Sequence, residues 1–316
     1  MQMLKFIFSE KYYADIGVHV FPIKKYLLIH PKLVTEGVIT EQNTVEPKVA
    51  SVEDLRLVHT RQYINDLLGL RWTPSTMRSE LPISRGILEA YLLATGGTIL
   101  AAQRAMEDGM AVNIGGGFHH AFPDHAEGFC YINDIAIALR RLQQEKVIRK
   151  AAVVDCDLHQ GNGTAYIFQN DPSVFTFSIH QENNYPLKQK SDLDIGLDDY
   201  ANDDEYMRHI QRVVPQILDE FQPDFLLYVA GADPYMDDQL GGLSLSIDGL
   251  KQRDKFVISA CIEHKIPIAI VLAGGYAVKT EDTVEIHCNT CRIALELSLF
   301  KETEFLEETR FLKPGR

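Results

Sequence analysis

Short apolar runs alternate with longer segments of helical periodicity from about residue 84 onwards. The apolar runs are rich in Ala, Val and Ile, which is typical of strands in a parallel sheet that is buried on both faces. Strands are predicted at 111–114, 151–157, 174–179, 225–230 and 268–273. Helices are predicted around them at 86–107, 133–145, 203–221, 248–264 and 284–299. This alternation predicts an α/β fold in which helices flank an open, mostly parallel, doubly wound sheet.

Three local features refine this picture. Asp248 has a side chain suited to the N-cap of its helix, and Pro215 should kink or break the helix at 203–221. The polar, acidic segment 181–200 is predicted as a long loop, and long loops in compact proteins are often functional. No change in composition marks a boundary, so residues 1–316 are predicted to form a single catalytic domain.

The predicted strands end in residues that carry chemistry. One is followed by Gly115-Gly-Gly-Phe-His-His120, another runs into Asp155-Cys-Asp-Leu-His159, and two more are followed by Gly231-Ala-Asp233 and Gly274-Gly-Tyr276. Ligand sites of open α/β sheets lie at the carboxyl ends of the strands. The sequence therefore predicts an active site at this edge, although one glycine-rich strand end alone would indicate only a tight turn.

The acidic and imidazole side chains at these ends suggest a metal site. If the strand at 151–157 continues past its end, Asp155, Asp157 and His159 lie two residues apart and share one face. Asp157, His159 and Asp233 would supply two carboxylate oxygens and one imidazole nitrogen, with an open position as in catalytic zinc sites. Iron(II) or manganese would also accept these ligands, so the sequence leaves the metal open.

His119 and His120 are adjacent, so in an extended loop their side chains would point to opposite sides. We therefore expect both to be exposed in a cleft. One would act as a general base for an attacking water and the other would stabilise charge. An Asp partner would favour the imidazolium form of either ring, whereas an Asn partner would not.

Composition narrows the class of protein. The formal net charge of −13, with no block of Lys or Arg, argues against direct binding to nucleic acid. The first residues contain too short an apolar run for a signal peptide, and no stretch reaches membrane-spanning length, so we expect a cytoplasmic protein. The five cysteines are expected to be reduced, and Cys288-Asn-Thr-Cys291 is expected to form one helical face rather than a metal site.

Five motifs resemble, in order, the active-site motifs of zinc-dependent histone deacetylases. They are Gly115-Gly-Gly-Phe-His-His120, Gly128-Phe-Cys130, Asp155-Cys-Asp-Leu-His-Gln-Gly-Asn-Gly163, Gly231-Ala-Asp233 and Gly274-Gly-Tyr276. The segments His59-Thr-Arg-Gln-Tyr63 and Thr95-Gly-Gly-Thr98 are also similar to the family, so the resemblance covers most of the chain. The form of the third motif, Asp-x-Asp-x-His-Gln-Gly-Asn-Gly, with the segment Leu240-Gly-Gly-Leu-Ser-Leu-Ser246 downstream, is most similar to the class IV branch.

The resemblance implies a role for each matched residue. The implied zinc ligands are Asp157, His159 and Asp233. The implied catalytic residues are His119 and His120 as acid and base, Tyr276 as hydrogen-bond donor to the substrate oxygen, and Asp155 and Asn162 as partners of the two histidines. Asn162 stands where class I members carry an Asp, so His120 is expected to stay neutral more readily.

The resemblance also implies a substrate tunnel and a second cation. The residues predicted to line an acyl-lysine tunnel are Gly117, Phe129, Tyr185, Leu240 and Gly274. The residues predicted to hold a structural K⁺ ion are Asp155, Asp157, His159, Ser178 and Ile179.

The function implied is that of a zinc-dependent amidohydrolase, which removes acetyl or long-chain fatty acyl groups from lysine side chains of proteins or peptides. Alternatives left open are a deacetylase of small acylated amines such as acetylpolyamines, an arginase-like ureohydrolase, and an inactive module that binds acyl-lysine. An arginase-like site needs further bridging carboxylates, and Asn162 occupies a position where one would help. Because every matched catalytic position holds a competent residue, the inactive module is the less favoured reading.

Overall fold

The computed structural model describes the backbone of residues 3–311 and the side chains of residues 3–299. The strands are Lys5–Ile7 (β1), Thr44–Val45 (β2), Met110–Asn113 (β3), Ala151–Asp155 (β4), Val174–Gln181 (β5), Leu193–Leu197 (β6), Phe225–Val229 (β7) and Ile268–Val271 (β8). Within the described residues these strands form one sheet in the order β2-β1-β3-β8-β7-β4-β5-β6. Every pairing is parallel, which confirms the predicted sheet.

Helices flank this sheet. They are Lys25–Thr35 (α1), Val52–Leu55 (α2), Arg61–Leu68 (α3), Pro74–Met77 (α4), Arg85–Asp108 (α5), Asp134–Gln144 (α6), Asn162–Phe168 (α7), Asp203–Gln216 (α8), Ile247–Glu263 (α9) and Thr280–Phe311 (α10). All five predicted helices are present with shifted ends. In the described part of the chain, no helix combines the length and the apolar character needed to cross a membrane.

The central strands are buried at every position. This is true of β4, β7 and β8, which lie side by side in the sheet. Because helices cover both faces of the sheet, neither side of these strands faces solvent, and their sequences are continuous apolar runs without alternating polar residues. Their carboxyl ends lie at one edge, where the chain turns into the loops that carry the candidate functional residues.

Several local expectations need correction. The N-cap of α9 is Ser246, whose hydroxyl accepts a hydrogen bond from the Gly249 amide at 2.9 Å, and Asp248 lies in the first turn. The segment 181–200 is only partly loop, because β6 pairs with β5 there. This edge strand is half-exposed, so it lacks the apolar run of the central strands. The α-helix that contains Pro215 ends one residue later, at Gln216, as predicted, and the chain goes on as a π-helical turn.

The chain before residue 84 contributes elements that the sequence pattern did not reveal, namely β1, β2 and α1 to α4. Within this region His59 is buried and joins two segments. Its Nδ1 lies 3.0 Å from the Phe122 carbonyl oxygen, and its Nε2 accepts a hydrogen bond from the Asn133 amide at 3.1 Å. The ring must therefore be neutral with its proton on Nδ1, and burial lowers its pKa to about 4.

This histidine should make stability depend on pH. Between pH 6.5 and 4 the unfolded chain binds a proton at His59 that the folded chain does not, so the free energy of unfolding should fall as the pH falls. The whole loss should amount to about 3 kcal/mol. In urea unfolding at stepped pH, His59→Gln should show a flatter dependence than the wild type. The half-exposed His209 provides the control: partial burial also lowers its pKa, but much less of the ring is buried, so His209→Gln should flatten the slope less than His59→Gln does. Equal slopes in the wild type and His59→Gln would contradict the assignment.

Candidate active site

Three buried side chains converge at the carboxyl edge of the sheet. One ligand atom each from Asp157, His159 and Asp233 lies within 4.8 Å of the others. The Nδ1 atom of His159 is 3.3 Å from the Asp157 Oδ1 atom and 3.2 Å from the Asp233 Oδ2 atom. Burial and the nearby Asp157 charge raise the pKa of Asp233 to about 6. Two repelling carboxylates with one imidazole nitrogen fit a divalent metal ion, because the ion relieves the repulsion and this donor set suits Zn²⁺ or Fe²⁺.

The way the chain reaches this cluster differs from the sequence expectation. Strand β4 ends at Asp155 and not at Asp157, so the two-residue alternation does not continue to His159. Asp155 is not part of the cluster: its carboxylate lies 2.8 Å from the His119 Nδ1 atom and accepts a hydrogen bond from the Asp157 amide at 3.1 Å. Asp157 and His159 lie in the following loop, which curls toward Asp233 in the loop after the adjacent strand β7.

Two glycines make this close approach possible. A β-carbon on Gly274 would lie 2.2 Å from an Asp233 carboxylate oxygen, and one on Gly231 would lie 2.6 Å from an Asp157 carboxylate oxygen. The Gly274 amide instead donates a hydrogen bond to that Asp157 carboxylate at 2.9 Å. Larger residues at either position would occupy the space of a metal ligand.

The tandem histidines are buried rather than exposed, contrary to expectation. His119 and His120 are 3% and 5% exposed, and their Nε2 atoms are 3.1 Å apart. Both rings can point inward because the chain forms a turn at these two residues, not an extended segment. The Nδ1 atom of His119 is 2.8 Å from the Asp155 carboxylate, and the Nδ1 atom of His120 is 2.8 Å from the Asn162 Oδ1 atom.

The different partners separate the two imidazoles electrostatically. Burial acts to lower the pKa of His119, but the carboxylates of Asp155 and Asp157 raise it to about 9. Burial, together with the charge of the neighbouring His119, holds the pKa of His120 well below its ordinary value. In this arrangement the imidazolium form of His119 and the neutral form of His120 are favoured, a division that would suit general acid–base catalysis.

A buried carboxylate explains the amide at position 162. Glu127 accepts a hydrogen bond from Asn162 Nδ2 at 2.7 Å, and the Asn162 Oδ1 atom accepts another from the Gly163 amide at 3.0 Å. Because a carboxylate only accepts, the amide must present its NH₂ group to Glu127 and its oxygen to His120. Glu127 was missed by sequence reasoning, since a lone Glu beside a glycine carries no recognisable signal.

Tyr276 faces the same space from the loop after β8. Its ring centroid is 6.2 Å from that of His159 and 5.9 Å from that of Phe129. The carboxylate of Asp238 accepts a hydrogen bond from the Tyr276 amide at 2.7 Å. The preceding Gly275 has a φ of 141°, which few other residues adopt and which lets the loop turn back over the cluster.

The residues predicted to line a tunnel divide into two groups. Phe129, Tyr185 and Leu240 line an open cleft of about 180 Å³ above the cluster, together with the acidic Glu80, which was not predicted. A second, much smaller space of about 20 Å³ lies deeper. Its walls include Gly117 and Gly274, with Phe21, Tyr26, Phe118 and Ala273.

The residues predicted to hold K⁺ lie beside the cluster. Asp155 and Ser178 are paired across β4 and β5, and Ile179 follows in β5. The Ser178 hydroxyl lies 2.9 Å from the Nδ1 atom of His180. Away from this edge, Cys288 and Cys291 are buried free thiols within α10.

Comparisons with known proteins agree with this geometry. A family model described as "Histone deacetylase domain" matches residues 19–291. The chain is 42% identical to an uncharacterised protein of Picosynechococcus, over 88% of this chain and 94% of the relative. It is 31% identical to Histone deacetylase 2 of Arabidopsis thaliana (87% and 75% covered) and 32% identical to the acetoin utilization protein AcuC of Bacillus subtilis (77% and 69% covered). A solved structure of an HDAC homolog complexed with SAHA superimposes with a TM-score of 0.81 at 25% identity, covering 93% of this chain and 84% of that chain.

The contact between Glu127 and Asn162 predicts a coupled effect on stability. Asn162→Asp would bring a second carboxylate against Glu127, and we expect it to lower the free energy of unfolding by about 1–3 kcal/mol. Adding Glu127→Gln should restore much of this loss, because a glutamine can donate to the new carboxylate. Urea unfolding of the wild type, both single variants and the double variant gives the coupling energy. A coupling near zero would contradict the assigned amide orientation.

Proposed function

The chain belongs to the histone deacetylase family, whose members include proteins named histone deacetylases, and from that premise we propose that it is a zinc-dependent amidohydrolase. Its proposed reaction is the removal of acyl groups from lysine side chains of proteins or peptides. The observation that carries this proposal is the buried Asp157–His159–Asp233 cluster beside His119 and His120, whose Nε2 atoms are 3.1 Å apart, at the foot of an open cleft. We also propose a structural K⁺ at the positions around Asp155 and Ser178.

A metal ion held by the cluster would contribute Lewis acidity. Zn²⁺ held by Asp157, His159 and Asp233 would polarise the amide carbonyl and lower the pKa of a water molecule. His120 would take the proton of the attacking water at its Nε2 atom, because Asn162 accepts from its Nδ1 atom and so leaves the lone pair on Nε2. The water would reach that atom in place of the His119 Nε2 atom, which lies 3.1 Å from it.

Neighbouring side chains would carry out the remaining steps of the reaction. The Tyr276 hydroxyl would donate a hydrogen bond to the developing oxyanion. The amine nitrogen would then receive a proton from the Nε2 atom of His119, or from His120 after that ring has taken up a proton. Asp155 stabilises the positive charge on His119 during this exchange.

The small inner space supports a short acyl group. At about 20 Å³ it is of the order of what one water molecule requires. The aromatic rings of Phe21, Tyr26 and Phe118 close it off, so a long fatty acyl chain would have to displace them. We therefore propose acetyl-lysine as the preferred substrate over myristoyl-lysine.

A second candidate substrate is a small acylated amine such as an acetylpolyamine. The observation that favours it is the Glu80 side chain in the cleft lining, where a carboxylate would attract a cationic substrate. An arginase-like reaction has less support, because Asn162 contacts His120 rather than contributing to a metal cluster.

One assay separates these substrates. The zinc-loaded protein is given a single peptide carrying acetyl-, octanoyl- or myristoyl-lysine, and acetylspermidine in parallel, with His120→Ala as the inactive control. We expect kcat/KM to be highest for the acetyl peptide and to fall with chain length. Preference for myristoyl would contradict the closed inner space, preference for acetylspermidine would favour the second candidate, and hydrolysis of none would favour a module that binds without catalysis.

The role of the tyrosine has its own test. Tyr276→Phe removes one donor to the oxyanion and should lower kcat by about 100-fold or more. Zinc content per chain should stay at the wild-type value, because Tyr276 is not a ligand. An unchanged kcat with full zinc content would rule out this role.

A further inference from the structure

A buried arginine joins the two loops that carry the metal-binding carboxylates. Arg253, on α9, is completely buried. Its Nη1 atom donates hydrogen bonds to the Cys156 carbonyl at 3.1 Å and to the Gly231 carbonyl at 2.8 Å. Cys156 directly precedes Asp157, and Gly231 lies two residues before Asp233. One nitrogen therefore bridges the backbones of both loops next to their ligands.

The guanidinium is itself held in place. Its Nε and Nη2 atoms lie 2.9 and 2.8 Å from one carboxylate oxygen of Asp254. That carboxylate also accepts hydrogen bonds from the hydroxyls of Tyr228 at 2.6 Å and Thr290 at 2.5 Å. These contacts connect α9, β7 and α10, so the position of Arg253 is set by the packed body of the protein and not by the loops.

Arg253 makes these two contacts at the point where the backbone hydrogen bonds between β4 and β7 end. The Cys156 amide still donates to the Val229 carbonyl at 3.0 Å. Further along, the Ala232 amide donates to the Gly274 carbonyl at 3.1 Å, so this loop turns toward the strand on its other side. The two loops stay close here, since a β-carbon on Gly231 would lie 2.7 Å from the Asp157 Cα atom, and Arg253 binds one carbonyl of each loop.

We propose that Arg253 is a positioning residue for the metal centre. By binding the carbonyls of Cys156 and Gly231 it fixes the spacing between Asp157 and Asp233, and so determines how tightly this pair holds a divalent ion. The inference rests on the proposed function, because it requires that the cluster binds a metal. Groups that orient metal ligands change metal affinity by about 10–100-fold when they are removed.

A second buried cation provides a matched control. Lys25, on α1, is also completely buried, and its Nζ atom donates to the Ala273 carbonyl at 2.5 Å, in the loop that carries Tyr276. It lies close enough to Asp157 and Asp233 for their charges to act on it. Lys25→Met therefore removes a buried positive charge near the cluster and leaves Arg253 in contact with the carbonyls of Cys156 and Gly231.

Comparing Arg253→Met with Lys25→Met separates a positioning role of Arg253 from the effect of its charge. Removing a positive charge near two carboxylates should, by charge alone, strengthen the binding of a cation. If Arg253 acted only through its charge, Arg253→Met and Lys25→Met would both bind Zn²⁺ as tightly as the wild type or more tightly. If Arg253 positions the ligands, Arg253→Met alone should bind Zn²⁺ more weakly.

The experiment measures the dissociation constant of Zn²⁺ from the purified full chain by competition with a chromophoric chelator. We expect Arg253→Met to weaken binding by about 10–100-fold and Lys25→Met to leave it equal or tighter. Arg253→Lys keeps the charge but loses the planar fork, and should show an intermediate loss even if Arg253→Met does not fold. Near-UV circular dichroism identifies the variants that are folded.

The outcomes distinguish this inference from the proposed function. A wild-type chain that binds no Zn²⁺ would refute the metal centre, and the inference with it. A wild-type chain that binds Zn²⁺ no more tightly than the folded Arg253 variants would overturn the positioning role alone. Equal weakening by Lys25→Met would also overturn it, because the loss would then follow from any buried substitution near the cluster.

Discussion

The structure depends on holding two buried carboxylates, Asp157 and Asp233, side by side. Buried like charges repel strongly, and desolvation adds to the cost of each. The surrounding chain offsets this with hydrogen bonds, since the amides of Leu158 and Gly274 donate to the two carboxylates at 2.8 and 2.9 Å. A divalent ion would complete the compensation. The glycines at the strand ends, the burial of His159 and the tight curl of the loop all follow from this one constraint.

The same electrostatics separates the tandem histidines. His119 lies against a carboxylate and His120 against an amide, although the two are neighbours in sequence and their rings touch. A carboxylate stabilises imidazolium, whereas an amide oxygen only orients the ring. Glu127 accepts a hydrogen bond from the NH₂ group of that amide, so Asn162 lies between the Glu127 carboxylate and the His120 ring. Two neighbouring residues thereby favour different protonation states.

Parallel topology brings these groups together from distant parts of the chain. Strands β4, β7 and β8 are neighbours in the sheet, and each delivers one element of the site at its carboxyl end: Asp157 and His159, Asp233, and Tyr276. Two buried cations bind carbonyl oxygens where these strands run into loops, Arg253 beside β4 and β7, and Lys25 after β8. Rigid strands and fixed loop origins are what a catalytic geometry requires.

The sequence by itself determined the parallel sheet and the set of residues at its active edge, because long apolar runs and clustered Gly, Asp and His are local signals. The residue pattern alone did not determine which side chains meet, whereas the family resemblance proposed the pairs that the structure brings together. The pattern grouped Asp155 with Asp157 and His159 on the assumption of a continuing strand, yet β4 ends at Asp155 and its carboxylate contacts His119. Tertiary structure also decided the burial of His119 and His120, the presence of the edge strand β6, and the closure of the inner space by Phe21 and Tyr26. The physical reason is that hydrophobic periodicity reports the burial of a segment, whereas loop curvature and contacts between distant residues depend on how the whole core packs.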